Sequence, residues 1–432
     1  MRLILLELNE INFDTVKDYL NKGETLNNFK HLIENNLIVT RSEDEYQNIE
    51  PWIQWVSVHT GLDYKSHKVF RLGDIVNHRH EQIFEKIEKL GFKVGAISPM
   101  NAANNLMNPD YFIPDPWTKT SSDNSFLSKI LSDSISQAVN DNAKSKITIL
   151  SVLKLVYAFL TIISMKDKIN LIFFVLSTLR KPWRKSLVLD LFLFYVHKEL
   201  FIKKNTNFST IFLNAGAHIQ HHYFFNSKVI KNSKFKNPSW YIKEKYDPII
   251  DMLRVYDKIL GELNNINNTE IIVATGMSQV PYNNIKFYYR LSNHKNFLKK
   301  LNLKFDKVIP RMTRDFLILF NNKADQEEAY NYLKKITVSD DSLLFEEIEK
   351  MNNNLFVTLT YSNEITKDMF ITINGKKIHL FDQVVFVAVK NGMHQSKGYA
   401  YFSDGIKKSI PKNNDHVLNI NKTVLSFFES EI

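Results

Sequence analysis

The sequence predicts an α/β fold, with a mostly parallel central sheet and helices on both of its faces. In the first hundred residues, short apolar runs alternate with amphipathic stretches, as in residues 2–8 and 13–20. This alternation is typical of strand–helix–strand units, whose strands lie parallel in one sheet. The same rhythm returns after Ser209, where Thr210–Leu213 and Glu270–Ala274 are rich in apolar and β-branched residues. Both segments are therefore predicted to be buried strands.

The other elements follow from the same patterns, and glycines mark two of the helix ends. Gly61 follows the apolar run Trp52–Thr60, and Gly91 follows the amphipathic run Glu81–Leu90. Glycine ends helices readily because it adopts the left-handed conformation without strain. The remaining predicted elements are two further helices, Tyr246–Leu263 and Thr423–Phe428, and the strands Lys93–Ile97, Phe316–Phe320, Phe356–Tyr361, Val384–Val389 and Tyr399–Phe402.

Residues 120–205 differ from the rest of the chain because long apolar runs replace the strand–helix rhythm. Ile147–Ser164 contains a single charged residue, Lys154. The run is shorter than the roughly 20 apolar residues of a membrane span. We therefore predict a helical hydrophobic insertion at 120–205, which interrupts one α/β core formed by 1–119 and 206–432. Two interpretations stay open: a cap packed on the core, or a membrane-surface element at 145–204 with Trp183 at the interface.

Composition excludes several kinds of chemistry. The chain has 432 residues, a net charge of +10 and no cysteine, so disulfides, thiolate metal ligands and a cysteine nucleophile are excluded. The lysines are scattered and no nucleic-acid-binding motif is present, so nucleic acid is not an expected partner. The N-terminal apolar run is too short for a signal peptide. We expect a cytoplasmic protein, either free or peripheral to a membrane.

Two motifs resemble the alkaline phosphatase superfamily, in particular its phosphodiesterase and nucleotide-pyrophosphatase branch. Ser57, Thr60, Gly61 and His67 match the spacing that follows the nucleophile in that branch. The stretch Gly392–Gly398 matches its late Gly-x-His-x-x-x-Gly element. The resemblance covers most of the chain outside 120–205. It implies a site in which two metal ions clamp a phosphoryl group at the carboxyl ends of strands.

The chain departs from that family pattern at the first ion's ligands. Asn9-Glu10 stands where the family usually has Asp-Gly, and Pro51 stands near the nucleophile position. Thr275-Gly276 replaces the Asp-His pair. By this resemblance the candidate catalytic residues are Glu50, Glu10 and Thr275, with Glu50 as nucleophile or general base. The candidate substrate-binding residues are Asn9, Trp52, Gln54 and Asn101. Each also has a structural alternative, such as capping a helix for Glu50 or forming a turn for Asn101.

The second ion's ligands are better preserved in the resemblance. Asn214 and His218 have the spacing of the family's Asp-x-x-x-His pair, and His394 is the late histidine. A shift of three residues puts His221 in the place of His218, and both registers stay open. Two or three imidazoles suit a transition metal. We expect at most one divalent ion, Zn²⁺ or Mn²⁺.

Three functions follow, and the sequence alone does not decide whether the chain is catalytically active. The first is a phosphate- or sulfate-ester hydrolase, or an enzyme that transfers such a group, with a remodelled site of at most one metal. Its substrate would be a phosphorylated or sulfated small molecule, a glycan or a lipid-linked ester. The second is an inactive superfamily member that binds a phosphorylated ligand or partner. The third is a membrane-surface assembly protein that works through 145–204.

Overall fold

The computed structural model describes residues 1–140, 148–230, 235–311, 314–373 and 376–430. Residues 141–147, which belong to the predicted insertion and include the start of its first apolar run, lie outside the described residues.

The strands are, in chain order, β1 (Leu3–Leu8), β2 (Leu37–Arg41), β3 (Val94–Ile97), β4 (Tyr111–Ile113), β5 (Phe208–Leu213), β6 (Glu270–Ala274), β7 (Ser278–Leu291) and β8 (Lys307–Pro310). They continue with β9 (Asp315–Leu319), β10 (Glu347–Met351), β11 (Asn354–Thr358), β12 (Phe370–Ile373), β13 (Lys376–His379), β14 (Val384–Gln395), β15 (Lys397–Phe402) and β16 (Asp415–His416).

The helices are α1 (Phe13–Asn21), α2 (Asn27–Glu34), α3 (Pro51–Thr60), α4 (Tyr64–His67), α5 (Ile83–Lys89), α6 (Phe126–Asn140) and α7 (Ile149–Ile162). They continue with α8 (Met165–Ser177), α9 (Arg184–Lys204), α10 (Ala215–Tyr223), α11 (Pro248–Asn264), α12 (His294–Lys300), α13 (Lys323–Leu333) and α14 (Asn419–Glu429).

The central sheet has eight strands in the order β16-β2-β15-β6-β1-β5-β3-β4. Its neighbouring strands are parallel except where β15 pairs with β2 and with β6. The three inner strands β1, β5 and β3 are buried along their whole length, as strands covered by helices on both faces are. The predicted fold class, α/β with a mostly parallel sheet, is confirmed.

The register of the sheet brings three strand ends to one level. Leu8 of β1 pairs with Leu213 of β5, and Glu7 pairs with Ala274 of β6. Beyond these pairs the strands end, and Asn9, Asn214 and Thr275 follow. Because ligands of open α/β sheets bind at the carboxyl ends of the strands, this edge is the place for a site.

The chain divides into two compact units. The first comprises Met1–Ser233, Ile242–Pro281 and Gly392–Ile432, and it contains the central sheet. The second comprises Lys234–Tyr241 and Tyr282–Asn391. It contains the four-stranded sheet β10-β11-β9-β8, the ribbon β12-β13 and an apolar core of its own. The division predicted from the sequence, with an insertion at 120–205, is a different one and stays a prediction.

Helices α6 to α9 fall within the predicted insertion, and one detail of its interpretation is wrong. Trp183, expected at a membrane interface, is buried, and its Nε1 donates a hydrogen bond to Asp251 Oδ2 at 2.8 Å. The neighbouring Arg184 pairs with the same carboxylate. Trp183 therefore anchors the start of α9 to α11. Within the described residues, every helix is too short or too polar to cross a lipid bilayer.

Candidate metal centre

The turn after β1 is tied to both neighbouring strands by backbone hydrogen bonds. The amide of Asn9 donates to Leu213 O at 3.1 Å, and that of Glu10 donates to Thr275 O at 3.0 Å. Glu10 has a φ of 62°, in the left-handed region that glycine prefers. Such a conformation costs a non-glycine residue on the order of 1 kcal/mol or more and is concentrated at functional sites. The turn therefore fixes the direction in which the Glu10 side chain leaves the strand.

Helix α10 supplies a second group, and a buried carboxylate fixes where this helix begins. Asp190 on α9 accepts hydrogen bonds from the amide of Ala215 at 2.9 Å and from the hydroxyl of Tyr256 at 2.7 Å. Burial raises the pKa of the Asp190 carboxyl to about 6. A carboxylate at a helix N-terminus accepts hydrogen bonds from the free amides there and interacts favourably with the helix dipole. Asp190 thus positions the helix that bears His218 and His221.

Three ligand atoms converge at this edge of the sheet. Glu10 Oε2 lies 3.3 Å from His221 Nε2 and 3.2 Å from His394 Nε2. The two imidazole nitrogens are 3.2 Å apart. Glu10 is buried, whereas the side chains of His221 and His394 are 26% and 15% exposed. The triangle of atoms is therefore fixed on its inner side and reachable from solvent through the imidazoles.

The other nitrogen of each imidazole faces a backbone carbonyl. His394 Nδ1 lies 2.9 Å from Ile49 O, and His221 Nδ1 lies 3.3 Å from Gly392 O. A carbonyl can only accept, so each Nδ1 is assigned the proton and each Nε2 an unshared electron pair. This arrangement, in which the non-ligating nitrogen donates to a backbone group, is typical of metal-binding histidines.

The neighbours of Glu10 favour its ionised form. Burial alone would raise the pKa of this carboxyl, but positive charge at the imidazoles of His394 and His221 lowers it below its usual range. The amide of Gln279 also donates to Glu10 Oε2 and, at 3.0 Å, to Ala217 O. The side-chain amide of Asn9 donates from Nδ2 to Glu10 Oε1 at 3.1 Å. An anionic carboxylate and two electron pairs at one point repel one another unless a proton or a cation lies between them.

The triangle fits a metal ion. With bonds of about 2.0–2.1 Å, a tetrahedral ion has ligand atoms about 3.3–3.4 Å apart. Octahedral neighbours at the same bond length are only about 3.0 Å apart. The observed separations of 3.2–3.3 Å are closer to the tetrahedral spacing. Among the described residues, Glu10, His221 and His394 are the group of acidic and imidazole side chains that meets the geometry of a metal site.

The site brings together Glu10, His221 and His394 from the sequence-predicted set, and it separates His218 from them. His218 is exposed, and its ring contacts that of His222, with centroids 4.6 Å apart. Of the two open registers, the structure therefore places His221 at the cluster. Asn214, also predicted as a ligand, lies beside the cluster, where its Oδ1 accepts from the Asn9 amide at 2.8 Å.

Asn9 and Thr275 are held in hydrogen bonds to the surrounding core. Asn9 Oδ1 accepts from Trp55 Nε1 at 2.8 Å. Thr275 Oγ1 accepts from the backbone amide of Tyr399 at 2.9 Å, and Thr275 is fully buried. Asn9 therefore connects the end of β1 to α3, and Thr275 connects the end of β6 to β15. Their predicted roles in substrate binding and catalysis stay predictions.

The other predicted substrate-binding residues also make structural contacts. Trp52 donates from Nε1 to Phe70 O at 3.0 Å, and buried Gln54 donates to Asn48 O at 2.8 Å. The Asn101 amide donates to Trp52 O at 2.9 Å, and its Oδ1 accepts from Gly73 N at 2.8 Å. These bonds join the loops around the start of α3. Roles in binding substrate stay predictions for all three.

Glu50 immediately precedes α3 and lies beside His394. Its Oε2 is 3.4 Å from His394 Nδ1, on the side of the ring opposite to the three converging atoms. Its side chain makes no capping hydrogen bond to the helix. The contact places Glu50 where it can orient His394 and, through that imidazole, keep the start of α3 next to the triangle.

Gln279 is the member of the site that the sequence did not indicate. It is fully buried at the start of β7, and its amide contacts the carboxylate of Glu10. Gly392 makes this packing possible, because a Cβ there would lie 2.1 Å from Gln279 Oε1 and 2.9 Å from Gln220 O. A glutamine after a predicted strand is an ordinary residue, so nothing in the linear pattern distinguishes it.

Comparison with solved structures finds likenesses over almost the whole chain. Phosphonoacetate hydrolase from Sinorhizobium meliloti 1021, in complex with phosphonoacetate, has a TM-score of 0.46 and 10% identity, covering 99% of this chain and 96% of that one. Human ectonucleotide pyrophosphatase/phosphodiesterase 5 has a TM-score of 0.43 and 10% identity, with coverage of 99% and 95%. Alkaline phosphatase from the Antarctic bacterium TAB5 has a TM-score of 0.41 and 10% identity, with coverage of 99% and 98%.

All three are members of the alkaline phosphatase superfamily. This is the superfamily that the sequence motifs resemble. No protein-family model and no curated protein matches the sequence. With TM-scores below 0.5, these likenesses assign no role to any residue. The chemistry of the site has to follow from its own contacts.

Proposed function

We propose that this protein is a hydrolase of phosphate esters that uses one divalent metal ion, bound by Glu10, His221 and His394. The observation that supports this function is the convergence of three acceptor atoms within 3.3 Å of one another. Two imidazoles and one carboxylate are a ligand set of catalytic zinc sites, in which a fourth position stays open for water or substrate.

The surroundings of the triangle suit an anionic substrate. The N-terminus of α3 lies next to His394, because His394 Nδ1 contacts the carbonyl of Ile49 and the carboxylate of Glu50. A helix N-terminus carries partial positive charge and binds phosphate groups. When bound, a divalent ion supplies Lewis-acid stabilisation of the charge that develops on a phosphoryl oxygen.

The attacking group in this proposal is water. Proline at position 51 has no side-chain hydroxyl, so the covalent route that the family resemblance implies is closed at this position. Glu50 orients His394 through Nδ1, and Gln279 orients Glu10 through its amide. Both act on the ligands rather than on the substrate. Their effect is to restrict the orientation of the His394 ring and of the Glu10 carboxylate.

A second candidate function is the binding of a phosphorylated ligand without turnover. It is favoured by the hydrogen bonds of Asn9 and Thr275, which commit these side chains to Trp55 and Tyr399. In the family pattern their positions belong to the other metal ion. A site with one ion and a helix N-terminus retains the means to bind phosphate while it lacks part of the means to cleave it.

An activity assay with matched variants separates the two functions. The chelated full-length chain is reloaded with Zn²⁺ or Mn²⁺ and assayed on aryl phosphate diesters, monoesters and sulfates, and on glycosyl and lipid phosphates. We expect metal-dependent turnover of a phosphate ester. His221→Ala should lower it by at least about 100-fold, because loss of a residue that only hydrogen-bonds to a metal ligand already costs about 10–100-fold. His218→Ala, on the same helix, is the control and should retain the activity.

Two results would count against the hydrolase. Binding of metal and inorganic phosphate without turnover of any ester would establish the second candidate. Turnover that survives both chelation and His221→Ala would show that the reaction does not depend on this cluster.

A further inference from the structure

Helices α7 and α8 have an unusual distribution of side chains. The residues that α7 buries are Ser151 and Ala158, and those that α8 buries are Asp167 and Leu171. Most of the large apolar side chains are exposed instead. Leu153 and Phe173, for example, are 59% and 70% exposed. An ordinary surface helix has the opposite arrangement, with its apolar stripe facing the core.

The outward apolar side chains extend over both helices, and together we call them the α7–α8 surface. It runs from Ile149, 81% exposed at the start of α7, to Leu179, 83% exposed just after α8. The two helices are consecutive, and both pack against α9. Single exposed apolar residues are common, but an apolar surface of this extent indicates a binding surface.

The charges around this surface are mainly positive. Residues 148–189 contain five lysines and two arginines against one acidic residue, Asp167. Lys154 pairs with Asp133, and Lys181 and Arg184 pair with Asp251. These acids leave the charges of Lys166, Lys168, Arg180 and Lys185 in place. The carboxylate of Asp167 is buried and accepts a hydrogen bond from Lys198 Nζ at 2.6 Å, so it does not offset the charge at the surface. A second copy of the chain would bring two such positive surfaces together. Electrostatic repulsion therefore disfavours a dimer through this face, and an anionic partner is favoured.

The lengths of the helices suit a position along a membrane rather than across it. Helix α7 has 14 residues and α8 has 13, which correspond to about 21 Å and 20 Å. The hydrocarbon core of a bilayer is about 30 Å thick. Outward apolar residues flanked by lysine and arginine are the features of helices that lie in the interface of an anionic membrane.

We propose that the α7–α8 surface docks this protein onto an anionic lipid surface, with its apolar side chains in the interface and its basic residues facing the headgroups. The protein attaches to the lipid through the exposed sides of α7 and α8, and the opposite sides of these helices pack against α9. The anchoring contacts of Trp183 and Arg184 to Asp251 then hold α9 against α11, which belongs to the unit that contains the metal centre. This docking does not depend on whether the metal centre is catalytic.

Vesicle co-sedimentation of the full-length chain tests the proposal. The vesicles contain phosphatidylcholine alone or with about 30% phosphatidylglycerol, an anionic lipid. We expect binding to the anionic vesicles, weaker binding to the neutral ones, and a loss of the difference at high salt, which screens exposed charges. The double variant Leu153→Ser/Phe173→Ser should bind at least about tenfold more weakly, because the transfer of each buried CH₂ contributes to the affinity.

Met107→Ser is the matched control, since Met107 is 85% exposed but lies outside the insertion helices. It should bind vesicles like the unchanged protein, and thermal unfolding should show that both variants remain folded. Absence of sedimentation with either type of vesicle would overturn the proposal. So would unchanged binding by the double variant. A dimer in solution that the double variant dissociates, without vesicle binding, would identify the surface as a subunit interface instead.

Discussion

Glu7 on β1 and Glu10 in the turn after it are three residues apart, and both contact histidine, but only Glu10 belongs to the candidate metal centre. Glu7 Oε1 lies 2.9 Å from His59 Nε2, and both side chains are fully buried. Glu10 lies three residues later, in the turn after β1, and contacts the partly exposed imidazoles of His221 and His394. The residue types are the same in both clusters. What differs is the number of groups that converge and their access to solvent.

The difference has a direct chemical consequence. In the Glu7–His59 pair, one proton on His59 Nε2 satisfies the contact with the carboxylate. At Glu10 each of the two histidines donates its Nδ1 proton to a backbone carbonyl. The carboxylate oxygen and the two Nε2 atoms that face one another are therefore all acceptors. The contact between Glu7 and His59 therefore contains its own proton, whereas the three acceptors at Glu10 need a proton or a cation between them. Residue type alone does not distinguish them.

Breaking the Glu7–His59 pair should give the largest change in stability. In Glu7→Leu the buried imidazole loses its partner, and removing one member of a buried pair typically costs about 3–5 kcal/mol. Urea denaturation measures the loss. The content of bound metal in the folded protein should not change, because Glu7 does not belong to the metal centre.

The double variant Glu7→Leu/His59→Phe is the control for that prediction. It removes both polar groups and fills their place with apolar ones, so it should recover part of the lost stability. A variant Glu7→Leu that folds normally but no longer binds metal would show that the two clusters act as one.

Removing the amide that orients Glu10 should have a smaller effect, confined to the metal centre. In Gln279→Leu the carboxylate loses a donor, and loss of such an outer partner typically lowers metal affinity about 10–100-fold. Competition titration with a chromophoric chelator measures this affinity. Gln326→Leu is the control, since Gln326 is also buried but donates to the backbone carbonyls of Asn352 and Asn354 within the second unit. Equal losses in both variants would contradict the assigned role of Gln279.

Another buried imidazole, that of His67, extends the comparison through the pH dependence of stability. Burial lowers the pKa of His67 to about 4, and its Nδ1 accepts from the Val69 amide at 3.0 Å. The unfolded chain binds the proton more tightly, so stability should fall as pH falls from about 6.5 toward 4. From about pH 7.5 to 5 this amounts to about 2 kcal/mol.

His67→Asn removes the titrating ring and keeps an acceptor for Val69. Its denaturation free energy should therefore depend less on pH over this interval than that of the unchanged protein. An equal pH dependence in both would show that His67 does not titrate as its burial requires.

The fold was predictable from the sequence because its signals are local. Buried strands such as β1, β5 and β6 read as short apolar runs, and their parallel order follows from the helices between them. The antiparallel direction of β15 and the division into two units depend on contacts between distant segments. Periodicity contains no information about those contacts.

The candidate metal centre was predictable only in part. Residues three apart on a helix lie on nearly the same face, so the sequence could not choose between His218 and His221. In the family resemblance, Asn9 stands at the position of the usual aspartate ligand. The structure shows that the carboxylate at the site comes from the next residue, Glu10, in a left-handed conformation that glycine would adopt. That backbone angle is set by the strand ends and is not visible in the sequence.

Metal content of four proteins tests the central claim most directly. The unchanged chain and the variants His221→Ala, His394→Ala and His218→Ala are incubated with Zn²⁺, freed of excess ion, and measured by elemental analysis. We predict one equivalent in the unchanged chain and in His218→Ala, and a small fraction of that in the other two. Retention of the full equivalent in His221→Ala and His394→Ala would contradict the proposal that Glu10, His221 and His394 bind the ion.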